Sequence, residues 1–145
     1  MYKYKPAFLV ISLLLIISCS STPSLEEKLI GNWSGELEQS NYGIIKVELE
    51  ITGAELNQVA GEYRSEPIDL SNCQTPFAYC KEYSCERPIW FLRREGDRFI
   101  YRVEQNGFCD LGEAKVSLVE DNTLQYDLEF DRHPGIKVNG RLTRQ

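Results

Sequence analysis

The chain has 145 residues, of which 42% are hydrophobic and 26% are charged, a balance typical of one globular domain. Residues 1–18 contain two lysines and no acidic residue, so the rest of the chain carries 14 basic and 22 acidic residues and a net charge of −8. A surface that binds nucleic acid needs clustered positive charge. We therefore expect no nucleic-acid partner.

Residues 1–18 have the pattern of a secretory signal peptide. Lys3 and Lys5 precede an apolar run over residues 7–17, which is shorter than the roughly 20 residues of a transmembrane helix. The run ends in Ile-Ile-Ser-Cys at residues 16–19, which resembles the lipobox of bacterial lipoproteins. The resemblance implies cleavage before Cys19, a diacylglyceryl group on Cys19 and acylation of the new N-terminus. The alternative is an ordinary signal peptide with an incidental cysteine.

The same resemblance predicts the domain boundaries and the location. Residues 1–18 are the signal peptide, residues 19–23 are a lipidated tether, and residues 24–145 form a single domain. The four tether residues after Cys19, Ser20 to Pro23, reach only about 14 Å when extended, so the domain must lie close to the bilayer. Ser20, rather than an aspartate, follows Cys19. This resembles lipoproteins sorted to an outer membrane, so we expect a cell-envelope protein that faces the periplasm.

The mature chain reads as one short helix followed by strands. Ser24 and Glu27 have the S-x-x-E spacing of a capping box, and Gly31 is placed to end a helix of about two turns. Apolar residues then alternate with polar ones, most clearly over residues 45–51, as in a sheet with one dry face. Further alternation falls at residues 33–37, 59–63, 99–103, 114–118, 124–130 and 136–142, and an apolar segment surrounds Trp90.

About eight antiparallel strands can bury one apolar face as a sandwich or as a closed barrel. We favour the all-β, up-and-down barrel, because closure also removes exposed strand edges. Gly31-Asn32-Trp33 resembles the G-x-W motif of lipocalins and other calycin barrels. That resemblance implies that Trp33 packs beneath a basic residue of the last strand and closes the barrel, a role we assign to Arg141.

A longer resemblance covers nearly the whole mature chain. It is to a family of small extracytoplasmic bacterial domains that occur as lipoproteins or appended to membrane kinases, and it implies the fold but no activity. The residues that carry it are Gly31 to Gly35 with Gln39, Val59 to Gly61 with Tyr63, Cys73, Gly107 to Cys109, Gly112, Leu124 to Tyr126 and Gly140 to Arg144.

Four cysteines remain besides Cys19, an even number that reads as two disulfides with three possible connectivities in an exported protein. The family resemblance places cysteines at Cys73 and Cys109, which implies a bond between them. Cys80 and Cys85 then close a local ring. Zinc is the competing interpretation, but the spacing lacks paired C-x-x-C knuckles. We predict no metal site.

The least strand-like segment is Ser65 to Arg87, which the cysteines are expected to staple. It contains Phe77, Tyr79 and Tyr83, and aromatic residues on a rigid loop can anchor a partner. Their alternative role is to cover the barrel wall. Ile89 to Leu92 is apolar on both faces, so we predict an exposed or partner-covered patch at Trp90 and Phe91.

Residues for common catalytic chemistry are scarce. The only histidine, His133, precedes Pro134 in an expected surface turn, and the Glu36/Glu38 and Glu48/Glu50 pairs fall on the wet face of strands. The chain has no phosphate loop, nucleotide fingerprint or EF-hand pattern. We therefore predict no enzyme and no cofactor.

The sequence leaves four functional hypotheses. The leading one is a lipid-anchored, non-enzymatic module that binds an envelope protein or ligand through the stapled loop and the Trp90 strand. The others are a carrier of a small apolar ligand inside the barrel, an inhibitor of a periplasmic hydrolase, and a structural role without a specific ligand.

Overall fold

The computed structural model describes residues 22–73, 84–104 and 112–145, which form a short helix and eight strands. In chain order the elements are α1 (Leu25–Leu29), β1 (Gly31–Gln39), β2 (Gly43–Ile51), β3 (Val59–Asp69), β4 (Cys85–Glu95), β5 (Arg98–Val103), β6 (Gly112–Glu120), β7 (Thr123–Phe130) and β8 (Lys137–Arg144).

The eight strands form one closed barrel. Each strand pairs antiparallel with the next along the chain, and β8 returns to pair with β1. The predicted all-β, up-and-down barrel of eight strands with a short N-terminal helix is confirmed. Closure leaves no strand with an exposed row of unpaired backbone groups, which is the physical advantage of a barrel over an open sheet.

The alternation in the sequence becomes the inner and outer faces of the wall. In β2, Ile45, Val47, Leu49 and Ile51 are buried, whereas the polar residues between them face outward. Bulky side chains fill the interior, as is usual for a barrel of this strand number. The largest fully buried ones in this core are Trp33, Tyr101, Tyr126, Phe99, Leu29, Leu49, Ile51, Ile89, Leu124, Leu128 and Leu142.

The segment between β3 and β4 is shorter than the sequence predicts. The predicted bounds of Ser65 and Arg87 are wrong, because β3 continues to Asp69 and β4 already begins at Cys85. Ser65 pairs directly with Cys85. The sequence did not predict this extension because it contains Pro67, and proline is disfavoured in strands. Pro67 lies beside a register shift between β2 and β3, where a proline is tolerated.

The two ends of the barrel are built differently. At one end, here called the helix end, lie α1 and the turns at residues 52–58, 96–97 and 121–122. The other end, here called the loop end, holds the connections at residues 40–42, 70–84, 104–111 and 131–136. An up-and-down barrel places alternate connections at opposite ends, so this division follows from the topology alone.

Within the described ranges, the structure contains no helix long and apolar enough to cross a membrane.

Candidate functional site

Helix α1 packs against the helix end of the barrel. The predicted capping box is present: the Ser24 hydroxyl accepts a hydrogen bond from the Glu27 amide, and the Glu27 carboxylate accepts one from the Ser24 amide. The helix spans five residues and ends at Leu29, somewhat shorter than the two turns predicted, because Ile30 is already extended. Leu29 is buried in the barrel core, so α1 covers this end of the interior.

Trp33 fixes the helix to the barrel. Its indole N–H donates to the Leu29 carbonyl at 2.9 Å. The guanidinium of Arg144 lies 4.1 Å from the centre of the Trp33 ring, close enough for a cation–π contact. Arg144 also donates to the backbone carbonyls of Ile30, at 2.9 Å, and Lys28. One side chain thus bonds the end of α1 to the first and last strands.

The assignment of the barrel-closing cation to Arg141 is wrong. Arg141 is exposed and pairs with Gln125 on the neighbouring strand, whereas Trp33 pairs with Arg144. The reason is strand parity: the inward residues of β8 are Val138 and Leu142, and Arg144 falls on the same face. The expectation that Trp33 packs beneath a basic residue of the last strand is otherwise confirmed.

Gly31 makes room for this arrangement. Its φ is +145°, and a Cβ atom there would lie 2.5 Å from Nη1 of Arg144. A larger residue would therefore suffer backbone strain and displace the guanidinium. The position of the Arg144 guanidinium over Trp33 thus explains why the first residue of the G-x-W motif is a glycine.

Two ion pairs join α1 to turns of the barrel. Lys28 contacts Asp121, in the turn between β6 and β7, at 3.0 Å. Glu26 pairs with Arg94, near the turn between β4 and β5. The pKa of Glu26 is lowered, first by a hydrogen bond from its own backbone amide and further by Arg94. These contacts hold α1 across the end of the barrel rather than along its wall.

A polar cluster lies inside the barrel, toward the loop end. Arg87 is buried, the third residue of β4, and pairs in register with Tyr63 of β3. Its guanidinium donates to the carbonyl of Glu104, just after β5. The Tyr63 ring stacks on Tyr126 with centroids 6.4 Å apart and planes 9° from parallel.

Burial governs the ionisation of the two tyrosines in this cluster. Burial raises the pKa of Tyr63, while a hydrogen bond with Ser65 and the charge of Arg87 oppose that rise. Burial also raises the pKa of Tyr126 well above its ordinary value, and Tyr63 adds to the rise. The Tyr126 hydroxyl is inaccessible and has no hydrogen-bond partner within the described part of the chain. A buried hydroxyl without a partner is costly, so this atom marks a place where a polar group would be stabilised.

The aromatic residues predicted to bind a partner fall into three groups. Phe77, Tyr79 and Tyr83 lie outside the described residues. Phe91 is not on the surface: it is buried inside the barrel against Phe99 and Tyr101, at ring distances of 6.2 and 5.5 Å. Its assignment to an exposed binding patch is therefore wrong.

Trp90 lies on the outer face of the wall and is half-buried. Its neighbours across the sheet are Val59 and Arg102, and its indole N–H is inaccessible and has no acceptor among the residues that the structure describes. The side chains of the apolar segment Ile89 to Leu92 therefore alternate between the two faces of β4: Ile89 and Phe91 lie inside the barrel, and Trp90 lies outside.

Of the four cysteines expected to form disulfides, Cys73 and Cys85 are described. Both are half-buried against the core; Cys73 lies in the connection between β3 and β4, and Cys85 is the first residue of β4. No disulfide joins two cysteines of the described ranges. Cys19, Cys80 and Cys109 lie outside those ranges, so the pairings of Cys73 with Cys109 and of Cys80 with Cys85 stay predictions.

A groove of about 400 Å³ runs along the outer face of β1, β2 and β3. Its cations are already matched: Lys46 contacts Glu48 at 2.6 Å, and Arg64 contacts Glu62 at 2.8 Å. Hydrogen bonding and charge from Lys46 lower the pKa of Glu48. Glu48 and Glu50 lie on the outer face, as predicted, in a surface of solvated ion pairs.

Sequence comparison identifies no relative from which the role of these residues could be inferred. No known family model matches the chain, and no curated protein matches it significantly. Over residues 22–73, 84–104 and 112–145, no group of three acidic, histidine or cysteine side chains is placed to hold a metal ion.

Sequence reasoning missed the interior cluster, although a signal was present. Arg87 has the same strand parity as Ile89 and Phe91, so an inward Ile89 requires an inward Arg87. Tyr126 was expected in the core, but its hydroxyl could be recognised as unpartnered only from the structure.

Proposed function

We propose that this protein is a lipid-anchored, non-enzymatic binding module of the bacterial cell envelope that engages its partner at the loop end of the barrel. The observation that carries the proposal is the difference between the two ends. Helix α1 covers the helix end through Leu29, Trp33 and Arg144. The loop end holds the longest connections between strands, with Cys73 and Cys85 at the longest of them.

The position of α1 supports the anchoring part of the proposal. The described chain begins at Thr22, and Thr22, Pro23 and Ser24 are exposed before α1. With lipid on Cys19, the tether would enter at the helix end and leave the loop end pointing away from the bilayer. A cluster of acyl chains gives a stable anchor where a single chain would be marginal. We place the protein in the outer membrane, facing the periplasm.

The binding residues we propose are the aromatic residues of the 70–84 connection, Phe77, Tyr79 and Tyr83, together with Trp90 on the outer wall, halfway along β4. A connection stapled by Cys73–Cys109 and Cys80–Cys85 would lose little conformational entropy on binding. The carboxylate pairs on the outer wall are solvated, which supports binding rather than catalysis.

Site-specific photocross-linking in intact cells tests the proposal. A photoreactive amino acid replaces Ile68, which is 49% exposed in the last part of β3 toward the loop end. The matched control replaces Leu56, which is 63% exposed in a turn at the helix end. We expect Ile68 to give one discrete protein adduct that Leu56 does not give.

The outcomes separate the hypotheses. An adduct with a periplasmic hydrolase would make the module an inhibitor, and an adduct with another envelope protein would make it an adaptor. Adducts only from Leu56, or the same adducts from both positions, would contradict binding at the loop end.

A second candidate function is the carriage of a small, mainly apolar ligand inside the barrel. The observation that favours it is the buried cluster of Arg87, Tyr63 and Tyr126 among apolar side chains. The charge of Arg87 and the Tyr126 hydroxyl, which has no hydrogen-bond partner among the described residues, would orient an acidic headgroup, such as a carboxylate.

Native mass spectrometry of the gently purified protein tests this candidate. A carrier is expected to hold a small molecule that is lost from Tyr126→Phe, in which the ring stays and only the hydroxyl goes. Tyr101→Phe is the matched control, because the Tyr101 hydroxyl contacts the Gly53 carbonyl at the other end. Equal ligand content in the two variants, or no ligand in the parent, would exclude carriage through this cluster.

A further inference from the structure

The outward side chains of β1, β2 and β3 form one acidic face. The strand register arranges them in four rows, each of which crosses the three strands. The row nearest the helix end is Asn32–Glu50–Glu62, and the row nearest the loop end is Glu38–Ile44–Asp69. The two rows between them add three glutamates, one lysine and one arginine. These outward residues, which we call the acidic face, therefore carry seven carboxylates and two cations.

Both cations of the acidic face are already engaged. Lys46 contacts Glu48 at 2.6 Å and Glu66 at 3.6 Å, and Arg64 contacts Glu62 at 2.8 Å. Close pairing of this kind leaves little positive charge to offset the remaining carboxylates. The acidic face as a whole keeps a net charge of −5.

Three carboxylates of this face have no ion pair within the described ranges: Glu36, Glu38 and Glu50. Glu50 lies directly opposite Glu62 on the neighbouring strand. Like charges directly across a sheet destabilise it, so a cation placed beside Glu50 would relieve a repulsion that the fold contains.

The rest of the barrel wall is balanced in charge. All eight strands lie within the described ranges, so their outer faces can be compared directly. The outward side chains of β4 to β6 include four acidic and four basic residues, and those of β7 and β8 include two of each. The excess of negative charge on the strands is thus confined to one side of the barrel.

An apolar pair and a groove lie on the same face. Ile44 and Ile68 are 37% and 49% exposed, and they are neighbours, because Ile68 is the extra residue at the register shift beside the Ile44–Asp69 pair. The groove of about 400 Å³ occupies the rows toward the helix end, around Ser34 and Glu50. From Glu50 to Ile44 the face is about 20 Å long, the length of about six extended residues.

We propose that the acidic face is a docking surface for a basic, partly apolar protein segment. Its lysine or arginine side chains would lie beside Glu36, Glu38 and Glu50, and an apolar side chain would rest on Ile44 and Ile68. The inference rests on the proposed binding function and deepens it by naming the chemistry of the partner. Ile68 belongs to both surfaces, since it lies on the acidic face and toward the loop end.

Charge complementarity selects this occupant. A surface of net negative charge favours encounter with basic partners and repels acidic ones, including anionic headgroups. Within the described part of the chain, no three carboxylates are placed to hold one metal ion. The compensating charge must therefore be spread along the face, as it is on a segment with several basic side chains.

Photocross-linking from Ile68 in intact cells tests the inference when it is combined with charge reversal. The double variant Glu38→Lys/Glu50→Lys changes two exposed residues of the acidic face, and the matched control Glu120→Lys/Asp127→Lys makes the same change of charge on β6 and β7. We expect the first variant to give about tenfold less adduct than the parent and the control to give as much as the parent. The cross-linked partner peptide, identified by mass spectrometry, should be basic.

Thermal unfolding of both double variants excludes a loss of adduct through unfolding. Glu50→Lys replaces a like-charge pair with Glu62 by an opposite-charge pair, so we expect the first variant to be at least as stable as the parent.

The outcomes separate the inference from the proposed function. An Ile68 adduct that both double variants retain, or an acidic partner peptide, would overturn the inference and leave binding at the loop end intact. If the parent gives no Ile68 adduct, binding at the loop end is contradicted, and the photoreactive residue is moved to Ser34 in the groove. A Ser34 adduct that Glu38→Lys/Glu50→Lys removes would support the acidic face by itself, whereas no adduct, or an insensitive one, would overturn it.

Discussion

Arg144 links three parts of the molecule through one side chain. Its guanidinium covers the Trp33 ring and donates to the carbonyls that end α1, while its backbone belongs to the last strand. Hydrogen bonds from a charged donor are stronger than those between neutral groups. At the scale of single residues, this contact connects the start and the end of the folded chain.

Replacement of Arg144 should therefore be costly. We expect Arg144→Met to lower the free energy of unfolding by about 2–3 kcal/mol, because it removes two charged hydrogen bonds and a cation–π contact. Arg141→Met is the matched control on the same strand and should change the free energy by less than about 0.5 kcal/mol, since Arg141 is exposed. Urea unfolding measures both, and equal losses in the two variants would contradict the assignment of Arg144.

The choice between the two arginines could be made from the sequence only with correct strand parity. Both residues are basic and lie on the last strand, and proximity to Gly140 favoured Arg141. The alternation of Val138 and Leu142 instead places Arg144 on the inner face. Composition reduces the number of candidates for the residue that covers Trp33, but the strand register decides which one it is, because a shift of one residue reverses the face of every side chain.

Helix α1 is too short to be stable by itself, so its structure depends on the barrel. Its capping box satisfies backbone groups at one end, and Leu29 supplies the buried contact at the other. At the scale of elements, α1 acts as a plug: the barrel orders the helix, and the helix covers apolar residues of the core.

Leu29→Ala should separate the packing of α1 from its local structure. We expect a loss of about 3 kcal/mol in the free energy of unfolding, the usual cost of truncating a buried leucine. Leu25→Ala, on the same helix but only half-buried, should cost clearly less. Thermal unfolding of the two variants measures the difference, and equal effects would mean that α1 is not a plug.

The strands were largely predictable, whereas the irregular parts of the sheet were not. A period of two follows from one dry face, so eight alternating segments indicated eight strands. The extension of β3 past Pro67 and the register shift beside Phe91 depend on pairing with neighbouring strands. Ile89 to Leu92 gave no alternation of its own, so only those neighbours could place Phe91 inside.

At the scale of the whole molecule, one interior holds three tyrosines that must stay neutral. Burial raises the pKa of Tyr63, Tyr101 and Tyr126 above the ordinary value near 10. The folded state then binds these protons more tightly than the unfolded state does. Their contribution to stability is complete below about pH 10 and is lost as the pH rises toward the folded-state pKa values.

We therefore expect a cooperative alkaline unfolding above about pH 10. The free energy of unfolding should fall by about 1.4 kcal/mol per pH unit for each of the three tyrosines. Circular dichroism and tyrosinate absorbance, followed together, should change in the same pH range. Titration of every tyrosine near pH 10 with the barrel intact would contradict the burial of these hydroxyls.

The two ends of the barrel have opposite roles in this account. The helix end is covered by α1 and, in the proposed function, faces the lipid anchor, whereas the loop end is proposed to face outward and to bind the partner. Binding of a partner or ligand at the loop end would slow amide exchange in the loop-end turns. The exchange rates of the turns around α1 would change less.

Hydrogen–deuterium exchange of the lipidated protein tests this polarity most directly, by comparison of native envelope membranes with the purified protein in detergent. The account predicts slower exchange in the membranes for the turns at residues 40–42 and 131–136. The turn at residues 121–122 contacts α1 and, with the proposed anchor, would lie beside a bilayer or a micelle in both samples, so it should exchange equally. Equal exchange at the loop-end turns, or protection confined to the helix end, would contradict the account.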